Sequence, residues 1–246
     1  MTDRETILVS RRLLLAGIGG SALAGCVTDD VGGLGGILTG GGALTQAEAA
    51  AGIRAALDNG IGSAISTIGV RDGFLLNNLI KIPLPGFLQD MQSTLAKVGL
   101  SGPLDTLETQ LNRGAEAAVP VARDIFVDAV SSLTIADAIG IVRGGDNAAT
   151  DYLKQKTTTP LTSLFTPIMS DALQKAGAVQ TLDQLDKRLN SIPLAPRLGA
   201  DAKTDLIRHG VSYGLAGMFT YIGKEEAAIR ANPAKRTSEI LRRVFG

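Results

Sequence analysis

Arg208-His209-Gly210-Val211-Ser212-Tyr213-Gly214, RHGVSYG, holds the pattern G-x-S-x-G beside the one histidine of the chain. A strand running into this serine and a helix running out of it would expose a nucleophilic hydroxyl on a sharp turn, and the fold would be mixed α/β. The flanks argue against that. Asp205-Leu206-Ile207-Arg208 has no β-branched run, and Ile207, Val211, Leu215, Met218 and Ile222 recur at helical steps straight through the motif. The serine therefore falls inside a long helix, read from Asp201 to Arg230. No histidine follows residue 209, and nothing in the sequence supplies an orienting acid or an oxyanion hole. Gly210, Gly214 and Gly217 instead form a smooth strip where another helix can approach closely. His209 reads as a helix-surface or satisfied core residue.

The rest of the body has the same period. Thr45-Gln46-Ala47-Glu48 spells a capping box, and Ile53, Leu57, Ile61, Ile65 and Ile68 follow at helical spacing. A turn is expected around Arg71-Asp72-Gly73. Lys81-Ile82-Pro83-Leu84-Pro85 reads as an extended strap, because two prolines two apart forbid a helix interior. Phe87 to Val98 reads as a helix ending at Gly99. Leu104, Leu107, Leu111, Ala115, Ala118, Ala122, Ile125, Ala129 and Leu133 mark one buried stripe, which predicts a single helix from about Pro103 to Leu133 kinked at Pro120. Thr134 caps a short helix that closes at Gly144-Gly145. Asp146 offers a cap to a helix over Ala148–Lys156, and separate helices are read over Leu161–Ala176 and Leu182–Leu189. Asn232-Pro233 opens a last helix to Val244. No segment alternates long enough to be a strand. The expected fold is all-α: one globular bundle of about 8–10 helices over residues 44–246, with a kinked long helix.

The first residues set an address. Arg4, Arg11 and Arg12 precede a short apolar stretch, Leu13 to Ala24, and then Leu23-Ala24-Gly25-Cys26. A basic start, a short apolar middle and small residues at the cut describe an export signal over residues 1–25. Leu-Ala-Gly-Cys resembles the bacterial lipobox, in which the cysteine is lipidated and becomes the new amino terminus. Cys26 is the single cysteine of the chain, so it has no disulfide partner within it. Ser10-Arg11-Arg12-Leu13-Leu14 also resembles a twin-arginine signal, and the general secretory route stays equally open. Val27 in place of aspartate favours the outer membrane over the inner. Residues 26–43, rich in glycine, read as a flexible tether. The expected location is the bacterial cell envelope, lipid-anchored and facing the periplasm.

Composition narrows the function classes. The signal removes three arginines and two acids from a balanced total of 24 and 24, so the remainder sits near −1. That gives no field for nucleic acid, and the absence of tryptophan argues against stacking platforms for single strands. There is no HExxH, CxxC, P-loop or histidine cluster, so neither a metal nor a cofactor is expected. Gly144-Gly145-Asp146-Asn147 lacks the spacing of a calcium loop. Asn112, Arg113, Glu116, Arg123 and Asp124 lie along one side of the long helix, within an arc of about 100°. They read either as a solvated face of weak ion pairs or as a polar binding face beside the Pro120 kink. Lys235, Arg236, Arg242 and Arg243 flank Ile240, Leu241 and Val244, as in a terminal amphipathic helix.

Several of these pieces resemble one family when taken together and in order. They are Gly73-Phe74-Leu75, Lys81-Ile82-Pro83-Leu84-Pro85, Asn112-Arg113 with Glu116 and Ala118-Val119-Pro120, Ala148 to Leu153, Asn232 to Thr237, and Val244-Phe245-Gly246. The set is similar to the bacterial domain-of-unknown-function family numbered 4197. The resemblance implies a helical, exported and often lipidated protein, and it brings no reaction, cofactor or catalytic residue. Two functions are therefore carried forward. One is a non-catalytic envelope lipoprotein, held to the membrane through Cys26, whose body binds a protein partner or an apolar ligand. The other is an envelope hydrolase using Ser212 or the face around Arg113 and Glu116. The oligomeric state is left open.

Overall fold

A computed structural model describes residues 45–175, 177–190 and 201–231. The signal, the tether, Cys26, the link at 191–200 and the C-terminal segment from Asn232 lie outside the described residues. Eight helices are present and no strand, among the described residues: α1 (Gln46–Ile68), α2 (Gly86–Ala96), α3 (Gly102–Val121), α4 (Arg123–Ser131), α5 (Ile135–Arg143), α6 (Ala148–Lys175), α7 (Ala178–Asn190) and α8 (Ala202–Ala231). Among the described residues the core lies in the compact unit Ala43–Gly246.

The start signals act as written. Thr45 accepts from the Glu48 amide while Glu48 reaches back to the Thr45 amide, at 3.2 and 2.8 Å. Thr134 and Asp137 make the same reciprocal pair at α5, at 3.1 and 2.9 Å. RHGVSYG runs as unbroken helix inside α8. The long helix expected from Pro103 to Leu133 is two helices instead. Pro120 lies in the last turn of α3 and cannot donate to the Glu116 carbonyl, and the chain breaks at Ala122 before α4 begins. The opposite correction applies to α6. The pieces read as Ala148–Lys156 and Leu161–Ala176 are one helix that passes through Pro160 and Pro167. Seven residues are close to two turns, so both prolines share one side, and that side is exposed. The carbonyls they leave unpaired meet water, and the helix continues at its inner edge.

Helix α6 packs on α3 and α8, and α8 also packs on α1. Their approach depends on absent side chains. Met169 of α6 fills the place where Gly114 of α3 and Gly210 of α8 would carry a Cβ; those atoms would lie 2.7 and 2.9 Å from its sulfur. A Cβ on Gly217 would strike the Phe74 ring at 2.8 Å. The glycine strip of α8 thus receives side chains from α3, from α6 and from the segment before α2. Phe126 meets Phe219 edge-on, with centroids 6.1 Å apart, where α4 closes on α8.

Two stability predictions follow from this packing. A Cβ at Gly62 of α1 would meet nothing within 4 Å. Gly62→Ala should therefore stabilise by about 0.5–1 kcal/mol through helix propensity alone. Gly217→Ala should destabilise by about 1–3 kcal/mol, since Phe74 cannot yield without disturbing the core. Urea unfolding of both variants checks the opposite signs. A third prediction concerns acid. Hydrogen bonds from the Thr134 amide and hydroxyl hold the Asp137 carboxyl below its ordinary value. A carboxyl depressed in the folded state stabilises above its unfolded pKa, about 3.9, and the contribution is lost as pH falls through the folded value. Asp137→Asn should flatten the acid limb of a stability-versus-pH curve below about pH 4 and leave the slope near neutrality unchanged.

Candidate functional site

The polar residues grouped on the long helix separate into two sets in space. Asn112 and Glu116 are buried, Glu116 with 6% of its surface exposed. They face the segment of residues 69–85, which crosses from the end of α1 to the start of α2. Asn112 treats Ile82 as a strand neighbour would. Its Oδ1 accepts from the Ile82 amide at 2.8 Å, and its Nδ2 donates to the Ile82 carbonyl at 2.9 Å. Glu116 Oε1 accepts from the consecutive amides of Phe74 and Leu75, at 3.0 and 3.1 Å. Arg113 donates to Glu116 Oε2 at 2.6 Å and to Asp72 Oδ1 at 2.7 Å. These contacts, that to Glu116 first, raise the Arg113 pKa beyond its ordinary value. Asp72 holds a left-handed φ of 68°, a conformation that aspartate tolerates better than most residues.

More anchors come from elsewhere. His209 Nε2 donates to the Pro83 carbonyl at 2.8 Å. Asn77 Nδ2 donates to the Tyr221 hydroxyl at 2.6 Å, and Lys81 pairs with Glu108 at 2.9 Å. Below these anchors Phe74, Ile80, Ile82 and Leu84 are buried against α3 and α8. Asn112, Arg113 and Glu116 thus form neither a solvated face nor an open site. They are a clamp. Both Glu116 oxygens accept hydrogen bonds from within the fold. Arg123 and Asp124 take no part: both are exposed beyond the break at Ala122, and Arg123 acts at a distance on Asp58 of α1.

A second clamp was not foreseen. Glu226 of α8 takes the first free amides of α6: Ala149 to Oε1 at 2.9 Å and Thr150 to Oε2 at 2.8 Å, with the Thr150 hydroxyl at 2.7 Å. Arg230 closes on Glu226 Oε1 and also reaches the Ile141 carbonyl, at 2.8 and 2.9 Å. These amides go to Glu226 and not to Asp146, the cap expected from sequence. The signal was present: residue 226 continues the stripe Leu215, Met218, Ile222, where an apolar residue was due. A void of about 30 Å³ lies beside it, walled by Ile53, Leu57, Ile61, Ile222 and Ile229.

The serine of the opening motif stands apart from these clamps. Ser212 is exposed on α8, and His209 spends Nε2 on Pro83 while its ring stacks near Tyr213, centroids 4.3 Å apart. Ser212 lines a groove of about 370 Å³ between α6 and α8, walled by Thr158, Thr162, Thr166 and Arg208. A second groove, of about 380 Å³, lies between the α2–α3 turn and α7, lined by Leu95, Leu100, Pro103, Leu104 and Leu185. No group of three or more His, Cys, Asp or Glu able to hold a metal occurs among the described residues. No single described helix is long and apolar enough to cross a membrane.

The family description of a protein of unknown function (DUF4197) matches residues 43–246. No curated protein and no solved structure matches the chain.

The clamp reading separates the five polar residues by stability. Glu116→Ala should cost about 3–5 kcal/mol, because it leaves the Phe74 and Leu75 amides unpaired and takes one of the two carboxylates from Arg113. Glu226→Ala should cost as much. Arg123→Ala and Asp124→Ala should stay within about 0.5 kcal/mol of the parent. Chemical denaturation of the four variants measures the difference.

Proposed function

The chain belongs to the DUF4197 family of proteins of unknown function, and from that premise we propose that it is a non-catalytic lipoprotein of the bacterial cell envelope whose helical body takes an apolar ligand. The address rests on Leu23-Ala24-Gly25-Cys26 behind a basic, short apolar leader. Lipidation at Cys26 holds the protein to a membrane with its body in the periplasm, the outer membrane being favoured by Val27. Acyl chains anchor firmly in numbers, since each buried CH₂ contributes about 0.8 kcal/mol.

The binding half rests on one observation, the groove between the α2–α3 turn and α7. Its volume of about 380 Å³ falls within the range of ligand sites, and leucine and proline dominate its wall. Thr181 and Gln184 supply polar groups at its edge. The alternative of an envelope hydrolase receives no support from geometry. The G-x-S-x-G serine lies mid-helix, its neighbouring histidine is engaged elsewhere, and the Arg113–Glu116 pair is consumed by the clamp.

Two measurements test the two halves. Cells grown with labelled palmitate should incorporate it into the wild-type protein and not into Cys26→Ser; equal labelling of both would refute the anchor. Native mass spectra of residues 43–246, exported and gently purified, should show a discrete added mass that disappears in Leu100→Gln, a change at an exposed wall residue. A clean apo mass would turn the search to protein partners by crosslinking in cells.

A further inference from the structure

The segment of residues 69–85 is apolar on both sides. Phe74, Ile80, Ile82 and Leu84 point into the core, while Leu76, Leu79 and Val70 stand outward with 74%, 54% and 50% of their surface exposed. A loose loop could fold such residues back. This one is held against that by Glu116, Asn112, Tyr221 and His209, and by its own turns, Leu76 to Asp72 and Ile80 to Asn77. Three large aliphatic side chains are therefore presented to solvent on a pinned backbone. Scattered exposed leucines are ordinary; a cluster within ten residues of one another on a fixed support marks a contact surface.

Charge selects the partner. Two carboxylates of this region turn inward, Glu116 to backbone amides and Arg113 and Glu108 to Lys81, while Asp72 pairs with Arg113 and keeps 38% of its side chain exposed. The cations turn outward. Arg71 is 83% exposed and only 3.9 Å from Asp72, and Lys224 is exposed above the Tyr221 ring, 5.0 Å from its centroid, beside the anchor of Asn77. Exposed aliphatic side chains on the same segment as an exposed arginine, with an exposed lysine at its Tyr221 anchor, match an anionic lipid surface. The aliphatic groups enter the head-group boundary while arginine and lysine meet phosphate. The grooves described above lie on other parts of the body.

We infer that the outer face of residues 70–79, with Lys224, is a peripheral membrane-contact surface for anionic lipid. It does not depend on an anchor at Cys26, and it is tested without one. Residues 43–246, the compact unit that holds the described core, are mixed with phosphatidylcholine vesicles, with and without phosphatidylglycerol, and floated. The parent should float with the anionic vesicles. Leu76→Asp with Leu79→Asp should lower the bound fraction about tenfold, and Arg71→Glu with Lys224→Glu should remove the preference for phosphatidylglycerol. All four positions are exposed, so the variants should keep the parent's circular dichroism and melting temperature, which separates lost contact from lost folding. The inference is overturned if the parent floats with neither vesicle, or if the leucine variant floats as well as the parent. It is also overturned if sedimentation shows a dimer that the leucine variant dissolves while vesicles bind neither protein. That result would give the face to a second copy of the chain.

Discussion

An extended segment laid across packed helices brings amides and carbonyls to a place where no strand waits for them. Each buried group left unpaired would cost about 1–3 kcal/mol, a large part of what keeps a domain folded. The segment of residues 69–85 resolves this with side chains. Asn112 supplies the donor and acceptor of a strand neighbour at Ile82, and Glu116 accepts the Phe74 and Leu75 amides. Phe74 can then seat against Gly217, and that contact draws α8 to the segment and to α3. The closeness of these elements and the positions of the polar groups are one condition.

The same answer is used twice. Glu116 and Glu226 each receive two consecutive backbone amides, and each is neutralised by an arginine one turn away, Arg113 or Arg230. In both cases the arginine makes a further contact, Arg113 to Asp72 of the same segment and Arg230 to the Ile141 carbonyl of α5. A buried carboxylate in this arrangement is costly to remove and hard to replace, because its bonds are charge-assisted and tie separate segments together. Several of the stretches that carry the resemblance meet at these clamps. Gly73-Phe74-Leu75 and Lys81 to Pro85 lie on one side of the first clamp, and Asn112, Arg113 and Glu116 lie on the other. Ala148 to Leu153 receives the second. Their chemistry is that of holding a chain in place.

The helices were legible because amphipathic stripes and capping boxes are local. Thr45, Thr134 and the stripe through α8 needed nothing beyond their own neighbours. The course of α6 was not legible, because a proline reads as a stop until one knows that its side of the helix faces water. Pro120 is exposed as well, yet α3 ends one residue beyond it, so exposure alone does not decide whether a helix passes a proline. The clamp residues were singled out but misread. A charge on a helix is solvated or buried according to what lies opposite, and what lies opposite Glu116 is a segment some forty residues earlier. Glu226 could have been found as an acid at a core position of its stripe.

The cap of α6 also dictates an order of assembly. The amides of its first turn are satisfied by a carboxylate 76 and 77 residues further along the chain. While the protein emerges from its amino terminus, α6 can form its middle turns, but its beginning must fray until α8 exists and has docked. The contact that holds the start of this helix is therefore absent until the chain has reached residue 226. A chain cut short before Glu226 would leave the Ala149 and Thr150 amides without their carboxylate.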